Sequence, residues 1–258
     1  MRRIGPVATL AVLSLAVLLT GCSRVGNLRV LVPALSGMER VSASLWVEPG
    51  MPAATRTDLE QGIVVARQRL DRFYGSVESS PWVIACTTEA KSRSLGLYGR
   101  SLAHTVGGRA ILLGPHGLTT PVLLHEWAHA ELDARLSRGL LRRVPRWFDE
   151  GLACVISDEP RYSEARWQEI ERRGLPTPRL YELVTFGQMS EAARQYRDAR
   201  PDSAGNMHVV YSTAAHEVRG WLARAGGQGL HRLIEALNAG EPFGPAYLRI
   251  GGPAPEEP

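Results

Sequence analysis

The chain has 258 residues, of which 44% are hydrophobic and 22% are charged. This length suits one or two domains with a buried core, and the composition excludes a disordered chain and a multi-spanning membrane protein. The formal net charge is +4, from 30 Lys and Arg residues and 26 Asp and Glu residues. The near balance and the absence of a nucleic-acid-binding motif argue against a nucleic-acid partner.

The first 21 residues have the composition of an export signal. Arg2 and Arg3 give a positive start, and the apolar stretch over residues 4–19 is short for a membrane-spanning helix. The stretch ends in the letters LTGC, which finish at Cys22. A leucine, two small residues and a cysteine in this order resemble the lipobox of bacterial lipoproteins.

The lipobox resemblance implies a lipoprotein signal peptide over residues 1–21 that is cleaved before a lipidated Cys22. Residues 22–41 would then form a tether between the lipid and the folded part. The implied location is outside the cytoplasm, anchored to a bacterial membrane through the N-terminal lipid. Ser23 follows the cysteine and favours the outer membrane, with the protein facing the periplasm.

Residues 42–118 are predicted to form a small α/β subdomain. Strands are predicted over 42–47, 81–87 and 109–113, where short apolar or alternating runs end at glycine or proline. A helix is predicted over 57–74, because its apolar residues recur at spacings of three and four before Gly75.

Residues 119–250 are predicted to form a helical subdomain that carries the functional site. The apolar spacing predicts helices over 121–137, 147–156, 163–173, 190–199, 207–225 and 228–238. The fold class is therefore α+β, with a small N-terminal mixed sheet, helices packed on it and a mostly helical C-terminal half. Residues 251–258, rich in Pro and Gly, are expected to form a flexible tail.

The pentapeptide HEWAH at residues 125–129 carries the main chemical signal. Residues four apart share a helix face, so His125 and His129 would present two imidazoles to one zinc ion. Glu126 lies about 100° around the helix axis, from where it can reach a water on the metal as general base. The alternative from this motif alone is three polar residues on a surface helix.

A second motif, RWFDEGLA at residues 146–153, supplies a candidate third ligand. The gap between His129 and Glu150 can hold the end of one helix, a turn and a returning helix. Catalytic zinc commonly takes two histidines and one carboxylate, which favours Glu150 over the alternative of an exposed helical glutamate. Gly151 would let the returning helix approach a neighbour closely.

HEWAH followed by WFDEGLA resembles the gluzincin zinc metallopeptidases of the aminopeptidase-N and thermolysin-like clan (peptidase clan MA), which have a zincin-like fold. The resemblance implies that His125, His129 and Glu150 bind one Zn²⁺ per chain, with Glu126 as general base. It also implies a peptide or protein substrate whose peptide bond is hydrolysed by a metal-activated water.

The letters VYSTAAHEV at residues 210–218 are similar to the helix of this family that begins with a catalytic tyrosine. The resemblance implies that Tyr211 donates its hydroxyl to the oxyanion of the tetrahedral intermediate. A tyrosine that only anchors a core helix is the alternative. Tyr196 and His208 are the other candidates for the oxyanion donor.

The family also places an edge strand before the zinc helix, where it pairs with the extended substrate backbone. Residues 108–113 occupy that place in this sequence. Aminopeptidases of the clan carry a G-x-M-E-N segment whose glutamate binds the substrate amine, and none stands at the expected distance before His125. The partial match at residues 36–40, SGMER, lies too far upstream. A strict aminopeptidase is therefore not expected.

Three further expectations concern the remaining polar residues and the function class. Cys86 and Cys154 form a possible disulfide, which an exported compartment permits, although two buried free thiols are the alternative. Asp133 and Asp149 are possible partners that orient a histidine, with surface carboxylates as the favoured interpretation. The alternative function is an inactive peptidase-like lipoprotein that binds or chaperones envelope components.

Overall fold

The computed structural model describes residues 29–98, 101–197 and 207–252. The predicted signal peptide, the lipidation site Cys22 and the end of the predicted tail lie outside the described residues. Within these ranges the chain is α+β, with a small mixed sheet followed by a mostly helical half, as the sequence predicts. No described helix combines the length and hydropathy needed to cross a membrane.

Five strands form one sheet in the order β1-β2-β3-β5-β4. Strands β2, β3 and β5 run parallel, and β1 and β4 are added antiparallel at the two ends. All four residues of β5, with the sequence AILL, are buried, which suits a strand that is paired on both sides. The strands are β1 (Glu39–Arg40), β2 (Leu45–Val47), β3 (Trp82–Ala85), β4 (Ala103–Val106) and β5 (Ala110–Leu113).

The predicted edge strand at residues 108–113 is wrong, because β5 lies between β3 and β4. Within the described part of the chain, the edge strand on the β5 side of the sheet is β4, which was not predicted from the sequence. Gly107 and Gly108 have φ angles of 54° and 64°, a conformation that favours glycine, and they turn the chain back to pair β4 with β5.

Nine α-helices lie wholly within the described residues, and all seven predicted helices agree with one of them within four residues at each end. Helix α6 begins at Phe186 rather than at residue 190, because Thr185 and Gln188 form a capping box. Helices α2 and α9 were not predicted. The helices are α1 (Ala53–Tyr74), α2 (Glu89–Ser94), α3 (Thr120–Arg135), α4 (Arg146–Ser157), α5 (Glu164–Arg172), α6 (Phe186–Gln195), α7 (His208–Ala225), α8 (Gly229–Asn238) and α9 (Phe243–Gly251).

The two faces of the sheet bury different partners, because side chains alternate along each strand. Ile111 and Leu113 point into the main core with α1, α3 and α4. Ala110 and Leu112 point into a second cluster on the other face. The site helices α3 and α4 therefore rest on one side of the sheet.

Part of the predicted tether belongs to the fold. Val30 and Met38 are buried in the second cluster, and β1 pairs with β2. The apolar side chains of this segment cover the sheet face that α1 and α3 leave open. The prediction of a tether over residues 22–41 is therefore wrong from residue 29 onward.

The possible disulfide between Cys86 and Cys154 is not formed. Both thiols are free and buried. Cys86 follows β3 and packs in the second cluster, whereas Cys154 lies on α4 with Tyr162 and Ala215. The sheet and its covering helices separate the two thiols, so each acts as a small apolar side chain.

The carboxylate of Glu48 ties the end of β2 to the residues after β3. It accepts hydrogen bonds from the backbone N–H groups of Thr87 and Thr88 at 2.8 and 2.9 Å, and from both hydroxyls. Partial burial alone would raise the pKa of Glu48, but these hydrogen bonds outweigh it and lower the pKa.

Replacing Glu48 by Gln is expected to cost about 1 kcal/mol of unfolding free energy near neutral pH, because charge-assisted hydrogen bonds are lost. A carboxyl whose folded-state pKa is lowered stabilises the fold above its unfolded pKa, and this contribution disappears as pH falls through the folded pKa. The difference between wild type and Glu48→Gln in urea unfolding should therefore shrink on acidification. A difference that grows at low pH would contradict this assignment.

Candidate metal centre

Helix α3 presents the two histidines of HEWAH from one face. His125 and His129 are 9% and 7% exposed, and their ring centroids lie 5.0 Å apart. Trp127 and Ala128 on the same helix are buried in the main core. The buried apolar residues hold the helix against the sheet, so both imidazoles point to a common region on its other side.

Helix α4 returns beside α3 and brings the carboxylate of Glu150 to both imidazoles. Its Oε2 lies 3.2 Å from Nε2 of His125 and 3.5 Å from Nε2 of His129. Ligands about 2.0–2.1 Å from a tetrahedral zinc ion are separated from each other by about 3.3 Å. The set of His125, His129 and Glu150 therefore fits a zinc ion and could bind a metal.

Gly151 permits the close contact of α4 with α7 that the sequence suggested. A Cβ at this position would lie 2.4 Å from the carbonyl oxygen of Ala214 and 2.7 Å from a methyl group of Val218. Both contacts are too short for a real side chain, and the carbonyl belongs to the helix backbone. Glycine therefore brings α7, with Tyr211 on it, next to the residue that follows Glu150.

A second layer of charges supports the candidate ligands. Asp149 is 3% exposed, and its Oδ1 lies 2.7 Å from Nδ1 of His129. Arg146 donates to the other oxygen of Asp149 at 2.6 Å and also to Glu150. The interpretation of Asp149 as a surface carboxylate is wrong, because it is buried and orients a histidine. Asp133 instead lies against Gly108.

The charges of this cluster shift the pKa values of its members in opposite directions. Burial alone would raise the pKa of Glu150, but His129, His125 and Arg146 hold it well below its usual range. Burial would lower the pKa of His129, but the carboxylates of Asp149 and Glu150 raise it well above its usual value. Glu150 is therefore present as a carboxylate at neutral pH, the form that coordinates a metal.

Cys154 lies one helical turn beyond Glu150, with its sulfur 3.9 Å from Nδ1 of His125. Burial and the carboxylates of Glu150 and Glu159 raise the pKa of the Cys154 thiol well above its usual value. The sulfur therefore stays a neutral thiol that packs against the ring of His125.

The carboxylate of Glu126 points from α3 towards the edge strand β4. The hydroxyl of Thr105 on β4 lies 2.7 Å from Oε2 of Glu126 and 2.8 Å from its backbone carbonyl oxygen. The hydroxyl has one proton and donates it to one of these acceptors at a time. Glu126 is partly exposed between buried neighbours, so a substrate along β4 would pass its carboxylate.

Tyr211 stacks on a candidate ligand. Its ring lies 6.2 Å from the ring of His125 with an interplanar angle of 19°. Burial, followed by the carboxylate of Glu150, raises the pKa of Tyr211 well above its usual value, so its hydroxyl remains a hydrogen-bond donor.

The other two candidates for the oxyanion donor have different partners. The hydroxyl of Tyr196 donates to the carboxylate of Glu182 at 3.0 Å. The ring of His208 is buried and accepts a hydrogen bond from Arg166 at 2.9 Å. The geometry therefore favours Tyr211, whose catalytic role stays a prediction.

Three residues that contact the site were not predicted from the sequence to do so: Arg146, Thr105 and Cys154. Arg146 lies three and four residues before Asp149 and Glu150, a helical spacing that could have revealed both ion pairs. Cys154 lies four residues after Glu150, on the same helix face. Thr105 gave no signal, because only the β4–β5 hairpin brings it to Glu126.

Comparisons with known proteins found no matching family model and no matching curated protein. Two solved structures are similar, an M1 zinc metallopeptidase from Deinococcus radiodurans and a variant of the same enzyme. The variant has 18% identity over 85% of this chain at a TM-score of 0.40, and the other structure has 17% identity over 86% at 0.38. This chain spans 53% of the length of each.

Proposed function

We propose that this chain is a zinc-dependent peptidase whose metal is held by His125, His129 and Glu150. The observation that carries the proposal is the convergence of these three ligand atoms, all within 4.8 Å of one another, with Glu126 beside them. Two imidazoles and one carboxylate are the ligands that catalytic zinc commonly takes, with a fourth position left for water.

Each residue of the site would have one role in hydrolysis. Bound zinc supplies a polarised substrate carbonyl and an acidified water. Glu126 takes the proton of the attacking water and passes it to the leaving amine. Thr105 holds the carboxylate of Glu126 through the 2.7 Å hydrogen bond. Tyr211 donates its hydroxyl to the oxyanion of the tetrahedral intermediate.

The edge strand β4 offers unpaired backbone groups to an extended substrate. It has a partner, β5, on one side only within the described part of the chain. Thr105 in this strand contacts Glu126, so a peptide added beside β4 would pass the general base. Pairing through the backbone selects for an extended chain and little for side chains, which suits an endopeptidase.

Removal of the tyrosine hydroxyl tests the role of Tyr211. The Tyr211→Phe variant is expected to lower kcat about 10²-fold with little change in KM, because the lost hydrogen bond forms only in the transition state. The Tyr196→Phe variant is the control and should retain full activity, because its hydroxyl is bound to Glu182. Equal effects of the two substitutions would refute the assignment.

The peptidase proposal is tested by proteolysis with the full chain in detergent. Hydrolysis of casein and of a mixture of quenched fluorescent peptides is measured with and without a zinc chelator, followed by zinc re-addition. We expect hydrolysis that is lost with the chelator and restored by zinc. A zinc-loaded chain that hydrolyses nothing would favour the alternative of a binding or chaperone protein.

We also propose that the chain is lipidated at Cys22, exported and anchored to the outer membrane with its folded part in the periplasm. The support is the order of residues at its N-terminus, a positive start, an apolar stretch and LTGC. Mass spectrometry of the N-terminal peptide tests it. A peptide that begins at an acylated Cys22 is expected, and one that retains Arg2 and Arg3 would contradict it.

A further inference from the structure

An open cleft of about 1210 Å³ adjoins the candidate metal centre. Val106 and Gly107 line it at the end of the edge strand β4, and Arg146 and Asp149 line it at the start of α4. These last two residues bond directly to the candidate ligands Glu150 and His129. A peptide that lies beside β4 would therefore run from the metal centre into this cleft.

The cleft carries an excess of positive charge. Arg109, Arg138 and Arg142 line it, and none of them forms an ion pair within residues 29–98, 101–197 and 207–252. Among the described residues of the lining, Asp149 is paired with Arg146, and Asp133 is the only other carboxylate. The three guanidinium groups therefore exceed Asp133 by two charges. Arginine binds carboxylates with paired, charge-assisted hydrogen bonds.

Apolar side chains form the remaining walls. Leu141 and Val144 line the cleft next to the arginines, and Phe186 at its rim is 67% exposed. Large exposed aromatic and arginine side chains are typical of surfaces that bind other polypeptides. An arginine-rich cleft with apolar walls suits a peptide that carries a carboxylate beside hydrophobic groups.

We infer that this cleft is the substrate subsite for a peptide carboxylate and that Arg138 and Arg142 determine this specificity. The inference rests on the proposed peptidase function. The enzyme selects extended peptides in which an acidic residue, or the C-terminal carboxylate, lies a few residues from the bond that is cleaved. The backbone pairs with β4 while the carboxylate binds the arginines.

The test compares quenched fluorescent peptides of one sequence that carry Glu or Gln at successive positions around the scissile bond. Each peptide is made with a free or an amidated C-terminus, so that side-chain and C-terminal carboxylates are distinguished. We expect kcat/KM to be about tenfold higher for one carboxylate position than for its amide. Added salt should reduce this preference.

The double variant Arg138→Gln/Arg142→Gln should lose the preference and cleave the acid and amide peptides at similar rates. The matched control is Arg67→Gln/Arg72→Gln, which removes the same charge from α1, outside the cleft. This control should keep the preference for the acid peptide. Equal use of acid and amide peptides by the active wild-type enzyme would overturn the subsite and leave the peptidase function intact.

A binding measurement tests the carboxylate subsite separately from the proposed peptidase function. Fluorescence anisotropy with the zinc-loaded Glu126→Gln variant measures the affinity for the same peptides without turnover. Tighter binding of the acid peptide that depends on Arg138 and Arg142 would support the subsite even if the wild type hydrolysed no peptide. Equal affinity for acid and amide peptides would overturn it.

Discussion

The Glu126→Gln variant is expected to keep its zinc, and its kcat is expected to fall roughly 10²- to 10⁴-fold, which is the usual contribution of a general base. Glutamine has almost the same shape as glutamate, so the hydrogen bond from Thr105 on β4 can be retained. It cannot take a proton from water. The expected result is therefore a folded, metal-loaded protein with little proteolysis.

The matched control for Glu126→Gln is Glu89→Gln, an exposed carboxylate on α2 that pairs with Arg93 on the protein surface. This control removes the same charge far from HEWAH and should leave both zinc content and kcat unchanged. Undiminished proteolysis by Glu126→Gln would remove the residue from the mechanism. A loss of zinc in the variant would assign it to metal binding instead.

The second large effect is expected for Glu131, which lies on the α3 face opposite the histidines and is completely buried. Its carboxylate accepts hydrogen bonds from the backbone N–H groups of Glu78 and Ser79, both at 2.9 Å, and from Arg135 at 2.8 Å. The hydroxyl of Ser79 adds a further hydrogen bond. This network ties the loop before β3 to the metal-site helix.

Replacing Glu131 by Gln should lower the free energy of unfolding by about 3–5 kcal/mol. The amide has one acceptor oxygen instead of two, so its NH₂ group would face a backbone donor, and Arg135 would lose its buried counter-charge. Denaturant unfolding followed by circular dichroism measures the change. The free energy of zinc binding should change less than the free energy of unfolding, because the histidines are on the other face of α3.

Glu78→Gln is the control for Glu131→Gln, because the Glu78 side chain is 52% exposed and pairs with the same Arg135 at 3.4 Å. Exposed ion pairs contribute little, so the expected loss is below about 1 kcal/mol. If Glu131→Gln lowered the free energy of unfolding no more than Glu78→Gln does, the buried network would not stabilise α3.

The helices of this fold could be predicted from sequence more reliably than its strands. Helices α3, α4 and α7 have apolar residues at helical spacing along most of their length, which predicts their ends within about two residues. Strand β4 alternates weakly and its position at the edge depends on the turn at Gly107 and Gly108. The apolar letters of β5 indicated a buried strand but could not show which neighbours it pairs with.

The candidate ligands were predictable because each belongs to a short helical motif. His125 and His129 share a face by their spacing, and Glu150 follows on a helix that must return to them. Thr105 was harder to find, because it owes its position beside Glu126 to the β4–β5 hairpin. Arg138 and Arg142 lie in the connection between α3 and α4, whereas Arg109 lies just before β5, so only the fold brings the three arginines to one cleft.

Metal stoichiometry tests the central claim most directly. The full chain and its His129→Ala variant are purified under the same conditions, loaded with zinc, freed of excess metal and analysed by inductively coupled plasma mass spectrometry. The account predicts one zinc per wild-type chain and almost none in His129→Ala, with both proteins folded by circular dichroism. A wild-type chain without bound zinc, or a variant that retains it fully, would contradict the proposed metal centre.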